Sequence, residues 1–417
     1  MQILRTPMWC CLPANTDHED KMDISMSDIY IVAGARTAIG TFGGSLSTFS
    51  PTQLGTIAAK EAIKRAGLEP ADVDNSVFGT VIPTEAADLF LGRTVGIEVG
   101  MPIESQGLTL NRLCGSGAQA IITAAQMIRL GDSKIGIAGG AETMSRAPYS
   151  IDGMRYGKRM GNSQVYDWLS NTLADPFGHG AMGDTAENVA ERFQISRERQ
   201  DAFALESQRR ARAAINDGRF KEQIVAVQVK SRKGVVSFDT DEHPRDTTTE
   251  GLATLKPAFR KDGTVTPGNA SGINDGAAVV VLASEDEVTR RGLKPMGRLL
   301  GWGVTGVPPE IMGVGPVKAV PIALERAGLK ISDIDVFESN EAFAAQAIAV
   351  NDGLGLPTDR VNPNGGAVAL GHPLGATGAI LTIKALYELK RINGRYGVVT
   401  MCIGGGQGIA LVIENLS

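Results

Sequence analysis

Two stretches of the chain, EAIKRAGLEPADVD at 61–74 and IALERAGLKISDID at 322–335, are versions of one segment. The apolar positions, the Ala-Gly-Leu tripeptide and the acidic positions stay in step between them. Continuing both copies sets Cys114-Gly-Ser-Gly-Ala-Gln-Ala-Ile opposite His372-Pro-Leu-Gly-Ala-Thr-Gly-Ala-Ile, and then IGIAGG with Ala141 opposite YGVVTM with Cys402. A repeat this long means two copies of one βαβ-rich unit, not a solenoid of elements of about 20–50 residues.

Local pattern fills in the unit. DIYIVA from Asp28 is a short β-branched run and predicts a buried strand. Ser50-Pro51 supplies an N-cap and first helical residue. Apolar positions then recur at Leu54, Ile57, Ala58, Ala62, Ile63 and Ala66, until Gly67 stops the helix. Segment 117–130 has helical length but is apolar on most sides, which predicts a buried helix, and a strand at IGIAGG follows it. Strands alternating with helices imply parallel pairing in an α/β sheet. Between the copies, roughly 147–270 has fewer apolar runs and one convincing helix from about Ser196 to Asn216, and it reads as an insertion on the first copy. The expected organisation is a tail at 1–27, a first half at 28–146, the insertion at 147–270 and a second half at 271–417. The first half closes at about 271–295.

At 417 residues, with 43% hydrophobic and 21% charged residues, the chain reads as a soluble globular enzyme. Net charge is -5 and no Lys/Arg block stands out, which argues against a nucleic-acid partner. No apolar run reaches the roughly 18–20 residues of a membrane helix, so no membrane partner is expected. The first 25 residues lack a secretory h-region, and their acidic residues argue against a transit peptide. With Met22 and Met26 just ahead of the first strand, they read as a disordered tail or a misplaced start. Cys10, Cys11, Cys114 and Cys402 make no disulfide framework, which fits a reducing cytoplasm.

Three motifs carry chemistry. Cys114 stands in NRLCGSG, where a strand-like segment turns into a buried helix whose positive end would favour the reactive thiolate. A buried structural cysteine is the alternative. His372 stands at the equivalent helix start of the second copy. Pseudo-twofold symmetry would bring the two together as the nucleophile–base pair of covalent acyl transfer, whereas alone His372 could be a satisfied core histidine. Cys402, before three glycines, is a small core residue or a second acid/base with glycine N–H groups aimed at a developing oxyanion. The glycine runs do not make a dinucleotide fingerprint, and no Cys/His pair has metal-ligand spacing.

Together with GNASGINDGAA (268–278), NEAF (340–343) and CIGGGQG (402–408), these motifs resemble the thiolase signatures, in thiolase order, across essentially all of residues 28–416. The resemblance is nearest to the bacterial acetyl-CoA acetyltransferase and broad-chain β-ketothiolase branch. It implies an α/β thiolase fold: two pseudo-symmetric βαβαβαββ halves in five layers with an inserted loop domain. It also implies reversible Claisen condensation of acetyl-CoA, or thiolysis of a short-chain 3-ketoacyl-CoA, in a homotetramer built as a dimer of dimers. No organic or metal cofactor is implied, because coenzyme A and acyl-CoA are substrates.

Residue by residue, Cys114 resembles the acylated nucleophile, His372 its base, and Cys402 the group that moves the α-proton. Asn340 resembles the residue that holds an oxyanion-hole water beside His372, and the N–H groups of Cys114 and Gly404 the second oxyanion hole. Ser271 resembles a pantetheine contact, and Met182, Ala342 and Phe343 acyl-pocket walls. Two departures stand out. Ala181 precedes Met182 where biosynthetic thiolases carry His, with His179 two residues earlier. The stretch Arg245 to Leu255 is a residue short, which leaves the role of Arg245 in holding the CoA phosphates open. A carrier-protein ketosynthase would lack a second catalytic cysteine, and an inactive CoA-binding homologue would not keep every one of these positions. A degradative longer-chain thiolase stays open.

Overall fold

The computed structural model describes residues 28–232 and 234–417, so the expectation for the tail at 1–27 lies outside the described residues. The first half supplies β1 (Ile29–Arg36), α1 (Pro51–Arg65), β2 (Asn75–Gly79), α2 (Leu91–Val99), β3 (Gln106–Leu110), α3 (Ser116–Arg129) and β4 (Ile135–Thr143). After the insertion come β5 (Asn274–Ser284) and β6 (Gly297–Gly306). The second half continues with α6 (Gly315–Ala327), β7 (Val336–Ser339), α7 (Ala344–Leu354), α8 (Thr377–Ile392), β8 (Tyr396–Ile403) and β9 (Gln407–Asn415). The insertion itself holds α4 (Met182–Arg192), α5 (Arg197–Asn216) and two short hairpins, Tyr149–Ile151 with Val165–Asp167 and Val227–Ser231 with Gly234–Phe238.

The sheet order β7-β8-β9-β6-β1-β5-β4-β2-β3 is symmetric about the β6–β1 junction. Moving outward, β1, β5, β4 and β2 match β6, β9, β8 and β7. The place equivalent to β3 is held by a single parallel bridge, Phe337 to Val361. Pairing is parallel only for β2 with β3 and β4, and for β7 with β8. The remaining pairs are antiparallel, so the parallel pairing implied by strand–helix alternation holds for only part of the sheet. The reason is local: β8 returns directly as β9 through Gly404–Gly406, and β5 re-enters beside β4 only after the insertion, with no crossover helix between.

The repeated acidic positions have matching jobs. Asp72 accepts from the Glu69 N–H at 2.9 Å, and Asp333 from the Lys330 N–H at 2.8 Å, closing equivalent 3₁₀ turns. Asp74 accepts from the N–H groups of Lys134 and Ile135 at the start of β4, and Asp335 from those of Arg395 and Tyr396 at the start of β8. Each copy therefore uses one carboxylate to seal its turn and a second to register two parallel strands.

α1 and α2 cover one side of the first half-sheet and α6 one side of the second, with α7 packed beside α6. α3 and α8 lie against each other between the two half-sheets, giving five layers. This explains why 117–130 is apolar almost all round: Ala120, Ile121, Ile122, Ala124 and Ala125 of α3 and Ile380, Leu381, Ile383 and Leu386 of α8 are buried in one cluster. Each such Ile or Leu contributes roughly 1.5–3 kcal/mol by burial, so the layer that carries the candidate site is firmly packed. Ser50 caps α1 as expected, accepting from Gln53 N–H. Ser196 caps α5, accepting from Arg199 N–H. The insertion also contains α4, which the sequence pattern misses. Its N-cap is Ala181, which offers no side-chain acceptor, and Asp184 instead reaches back to the Ala181 N–H at 2.9 Å. Among the described residues no helix is long and apolar enough to cross a membrane.

Candidate active site

Cys114 is presented by a strained turn. Leu113 just before it has φ +47°, which a bulky residue adopts only when held there, at a cost of about 1–3 kcal/mol. The neighbours do the holding. Asn111 Oδ1 accepts from Leu113 N–H at 2.8 Å, Ser116 Oγ accepts from Arg112 N–H at 2.8 Å, and Ser116 Oγ–H donates to Leu113 O at 2.7 Å. Arg112 reaches Gln407 Oε1 at 2.9 Å in the CIGGGQG hairpin. The flanking residues of NRLCGSG therefore shape the turn, and the thiol is left free to face the cavity.

The two helix starts meet because they lack side chains. A Cβ on Gly117 would lie 2.8 Å from Gly375 O, one on Gly378 would overlap the Ala118 backbone, and one on Gly115 would lie 2.6 Å from Ile403. Backbone thus packs on backbone where Gly117 and Gly378 meet the opposite helix start, whereas Gly115 is packed by the Ile403 side chain. Cys114, His372, Cys402 and Gly404 line one cavity of about 330 Å³, together with Ser271, Met182, Ala342 and Phe343.

His372 is buried and fixed on three sides. Its backbone N–H donates to Asn274 Oδ1 at 2.9 Å, Nδ1 lies 2.6 Å from Thr377 Oγ1, and Nε2 lies 3.3 Å from Asn340 Nδ2. Asn340 is itself buried, and its Oδ1 finds no partner among the described residues. Burial pushes the imidazole down to about 4, so it is neutral at ordinary pH.

Cys114 corrects an expectation. Burial pushes its thiol up to about 11, against hydrogen bonds from the Gly404 N–H and its own N–H, and Glu142 adds a further upward push. Desolvation outweighs the helix end that would favour thiolate, and the resting pair is thiol and neutral imidazole. Cys402, almost fully buried, is pushed higher still by burial and by the charge of Cys114.

The structure adds groups that sequence reasoning passed over. Glu142 in β4 accepts from Val81 N–H at 2.9 Å, Ile82 N–H at 3.0 Å and Gly375 N–H at 2.8 Å, with Thr80 Oγ1 at 3.4 Å. It ties the loop after β2 to the loop carrying His372, and burial holds its carboxyl up at about 7 despite those donors. A charged residue on an otherwise apolar strand was the available signal. Met144, Leu173, Phe259 and Met312 complete the cavity wall, and Phe259 meets Phe343 edge-on at 6.2 Å. Ala181 lines the cavity, whereas His179 does not. Arg245 is not brought to the cavity: its side chain is exposed, and its backbone N–H donates to Gln208 Oε1 at 2.9 Å.

Comparison with known proteins agrees with this geometry. The thiolase N-terminal domain model matches residues 29–286 and the thiolase C-terminal domain model matches residues 293–415. The chain is 56% identical over 391 residues to beta-ketothiolase BktB of Cupriavidus necator, covering 93% of this chain and 99% of that protein. It is 48% identical to an acetyl-CoA acetyltransferase of Chromobacterium violaceum, covering 93% and 100%. The solved human mitochondrial 3-ketoacyl-CoA thiolase superposes with a TM-score of 0.92 at 44% identity, covering 94% of this chain and 99% of that one. With the two thiolase domain models and a 56% identical relative matched along nearly the whole chain, this protein belongs to the thiolase family of acyltransferases.

Proposed function

We propose that the chain condenses acetyl-CoA with an acyl-CoA, and in reverse cleaves a short-chain 3-ketoacyl-CoA, through an acyl group held on Cys114. The observation that carries this reading is one cavity lined by Cys114, His372 and Cys402, with the Gly404 N–H on the Cys114 sulfur.

In the first half-reaction the Cys114 sulfur attacks the thioester carbonyl while its proton passes to His372 Nε2. The N–H groups of Cys114 and Gly404 hold the tetrahedral oxyanion. The departing CoA thiolate takes the Cys402 proton. In the second, the Cys402 thiolate removes a methyl proton from acetyl-CoA. The enolate oxygen is held by His372 Nε2–H and by a water on Asn340, whose unpartnered Oδ1 supports that role. The enolate carbon attacks the Cys114 thioester, and His372 returns the proton to the Cys114 thiolate. Ser271 contacts pantetheine, and Met182, Ala342 and Phe343 wall the acyl group. Arg245 does not line the cavity, and its exposed side chain carries no role in this scheme. CoA and acyl-CoA are substrates, and no cofactor enters the scheme. Thiolysis of acetoacetyl-CoA and of longer 3-ketoacyl-CoAs tests the reading: no CoA-dependent cleavage of any of them would overturn it.

The acyl pocket is permissive in this reading, because Ala181 lines the cavity where biosynthetic relatives place His. Each buried CH₂ contributes about 0.8 kcal/mol, or roughly fourfold per carbon in a dry, fitted pocket. The expected result is kcat/KM for 3-ketovaleryl-CoA at or above that for acetoacetyl-CoA, with Ala181→His shifting the ratio several-fold toward acetoacetyl-CoA. Unchanged ratios in Ala181→His would show that position 181 does not set chain length.

A homotetramer built from dimers is proposed as the working form. β3 is an uncovered sheet edge, with Leu89, Phe90, Ile103 and Leu108 exposed near it. The hairpin of the insertion separately exposes Tyr149, Met154, Tyr156, Met160 and Trp168. Two separate apolar patches fit two kinds of subunit contact. Sedimentation equilibrium at micromolar concentration is expected to give four times the 43.9 kDa chain mass. A monomer would refute the assembly.

A further inference from the structure

We propose that Thr377 is the positioning residue that fixes the tautomer of His372, placing the ring proton on Nδ1 and leaving Nε2 bare to receive the Cys114 proton. This rests on the reading of His372 as the base.

Two contacts carry the assignment. Thr377 Oγ1 lies 2.9 Å from Pro373 O, one turn back at the start of α8, and its hydroxyl donates there. A hydroxyl that has spent its proton offers only lone pairs, and the nitrogen 2.6 Å away is His372 Nδ1, which must then be the N–H donor. On the other side of the ring, Asn340 Nδ2 faces Nε2 at 3.3 Å. An Nε2–H tautomer would set two donors against each other there, whereas a bare Nε2 accepts from Asn340. Thr377 is buried, so no solvent competes for the contact.

The partner is a neutral hydroxyl, not a carboxylate. A carboxylate on Nδ1 would stabilise imidazolium and hold the proton on the ring. The hydroxyl orients the ring equally well and leaves His372 weakly basic, consistent with its depressed pKa of about 4. Nε2 then takes the Cys114 proton only as the acyl bond forms, carries it as the oxyanion donor through the second half-reaction, and gives it back when the Cys114 thiolate departs. The Nδ1 proton never moves.

The assignment is read directly from the full-length wild-type protein labelled with ¹⁵N-histidine. The chain has four histidines, and loss of a signal in His372→Gln identifies the one of interest. At pH 7.5 the His372 nitrogen coupled to both ring C–H groups is Nε2. It is expected to be of the bare, pyridine type, and a pyrrole-type shift there would overturn the proposal without reference to any activity.

The kinetic arm measures Cys114 acylation by acetyl-CoA. Thr377→Ser keeps the hydroxyl and is expected to stay within about threefold of wild type. Thr377→Val, which keeps the shape, is expected to acylate about 10²-fold more slowly at unchanged KM, the scale of lost base catalysis. Thr377→Val acylating as fast as Thr377→Ser would also overturn it. Failure of wild type to acylate at all would refute the reading of Cys114 instead, leaving the tautomer result to stand alone.

Discussion

Cys114→Ala protein mixed with acetyl-CoA is expected to gain no acyl mass and to lose at least about 10⁴-fold in thiolysis, the scale seen when a covalent nucleophile is removed. Cys402→Ala should still gain one acetyl group. The difference follows from position: both cysteines line the cavity, but the Cys114 sulfur sits on the strained turn and receives the Gly404 N–H. The pH dependence of the same thiol sharpens the test. With Cys114 pushed up to about 11 and His372 down to about 4, neither group titrates between pH 5 and 9. The thiolate is therefore scarce at neutral pH and grows about tenfold per pH unit on the way up. Alkylation of Cys114 by iodoacetamide should keep accelerating beyond pH 9 and level off only near pH 11. A plateau near pH 7 would mean a preformed thiolate–imidazolium pair and would contradict the neutral resting state. An acyl adduct on Cys114→Ala would move the nucleophile elsewhere altogether.

Much of this was legible because the repeat is functional at the level of single residues. Asp72 and Asp74 have counterparts in Asp333 and Asp335, and each pair makes the same backbone contacts, so the equivalence of Cys114 with His372 rests on matched turns. Helix α3 was readable as buried because a central layer needs apolar residues on every side. What escaped is what depends on distant partners. Antiparallel pairing of β1, β5 and β6 reflects strands that meet only after the insertion has intervened. Helix α4 hides behind an N-cap of Ala181. Thr377 looks ordinary in one dimension, and Glu142 stands out only as a charge on an apolar strand. Their meaning comes from Gly375 being 233 positions away from Glu142, and from Thr377 sharing Pro373 O with its own helix start. The sign of the Cys114 shift was misread for a related reason, since a helix end is visible in sequence while the burial that outweighs it is not.

Cys402→Ala is expected to separate the two half-reactions. Acylation of Cys114 should persist, while condensation and thiolysis fall about 10³-fold, within the range for loss of a proton carrier. The physical basis is the coupling between the two sulfurs. Cys402 is held protonated chiefly by its burial, and any negative charge on the Cys114 sulfur pushes the same way. Once Cys114 is a thioester it can carry no charge to oppose a thiolate at Cys402, and the Cys402 proton passes to the departing CoA thiolate. The resulting buried thiolate is poorly solvated and hence strongly basic, which suits it to a weak carbon acid. Cys402 thus becomes the base once CoA has left with its proton, and the order of the half-reactions follows from that proton transfer. The readout is isotopic. In D₂O the wild type should wash deuterium into the methyl group of acetyl-CoA, and Cys402→Ala should not, although it still exchanges acetyl between Cys114 and free CoA. Deuterium entering the methyl group at the wild-type rate in Cys402→Ala would sink the assignment and require another base in the cavity.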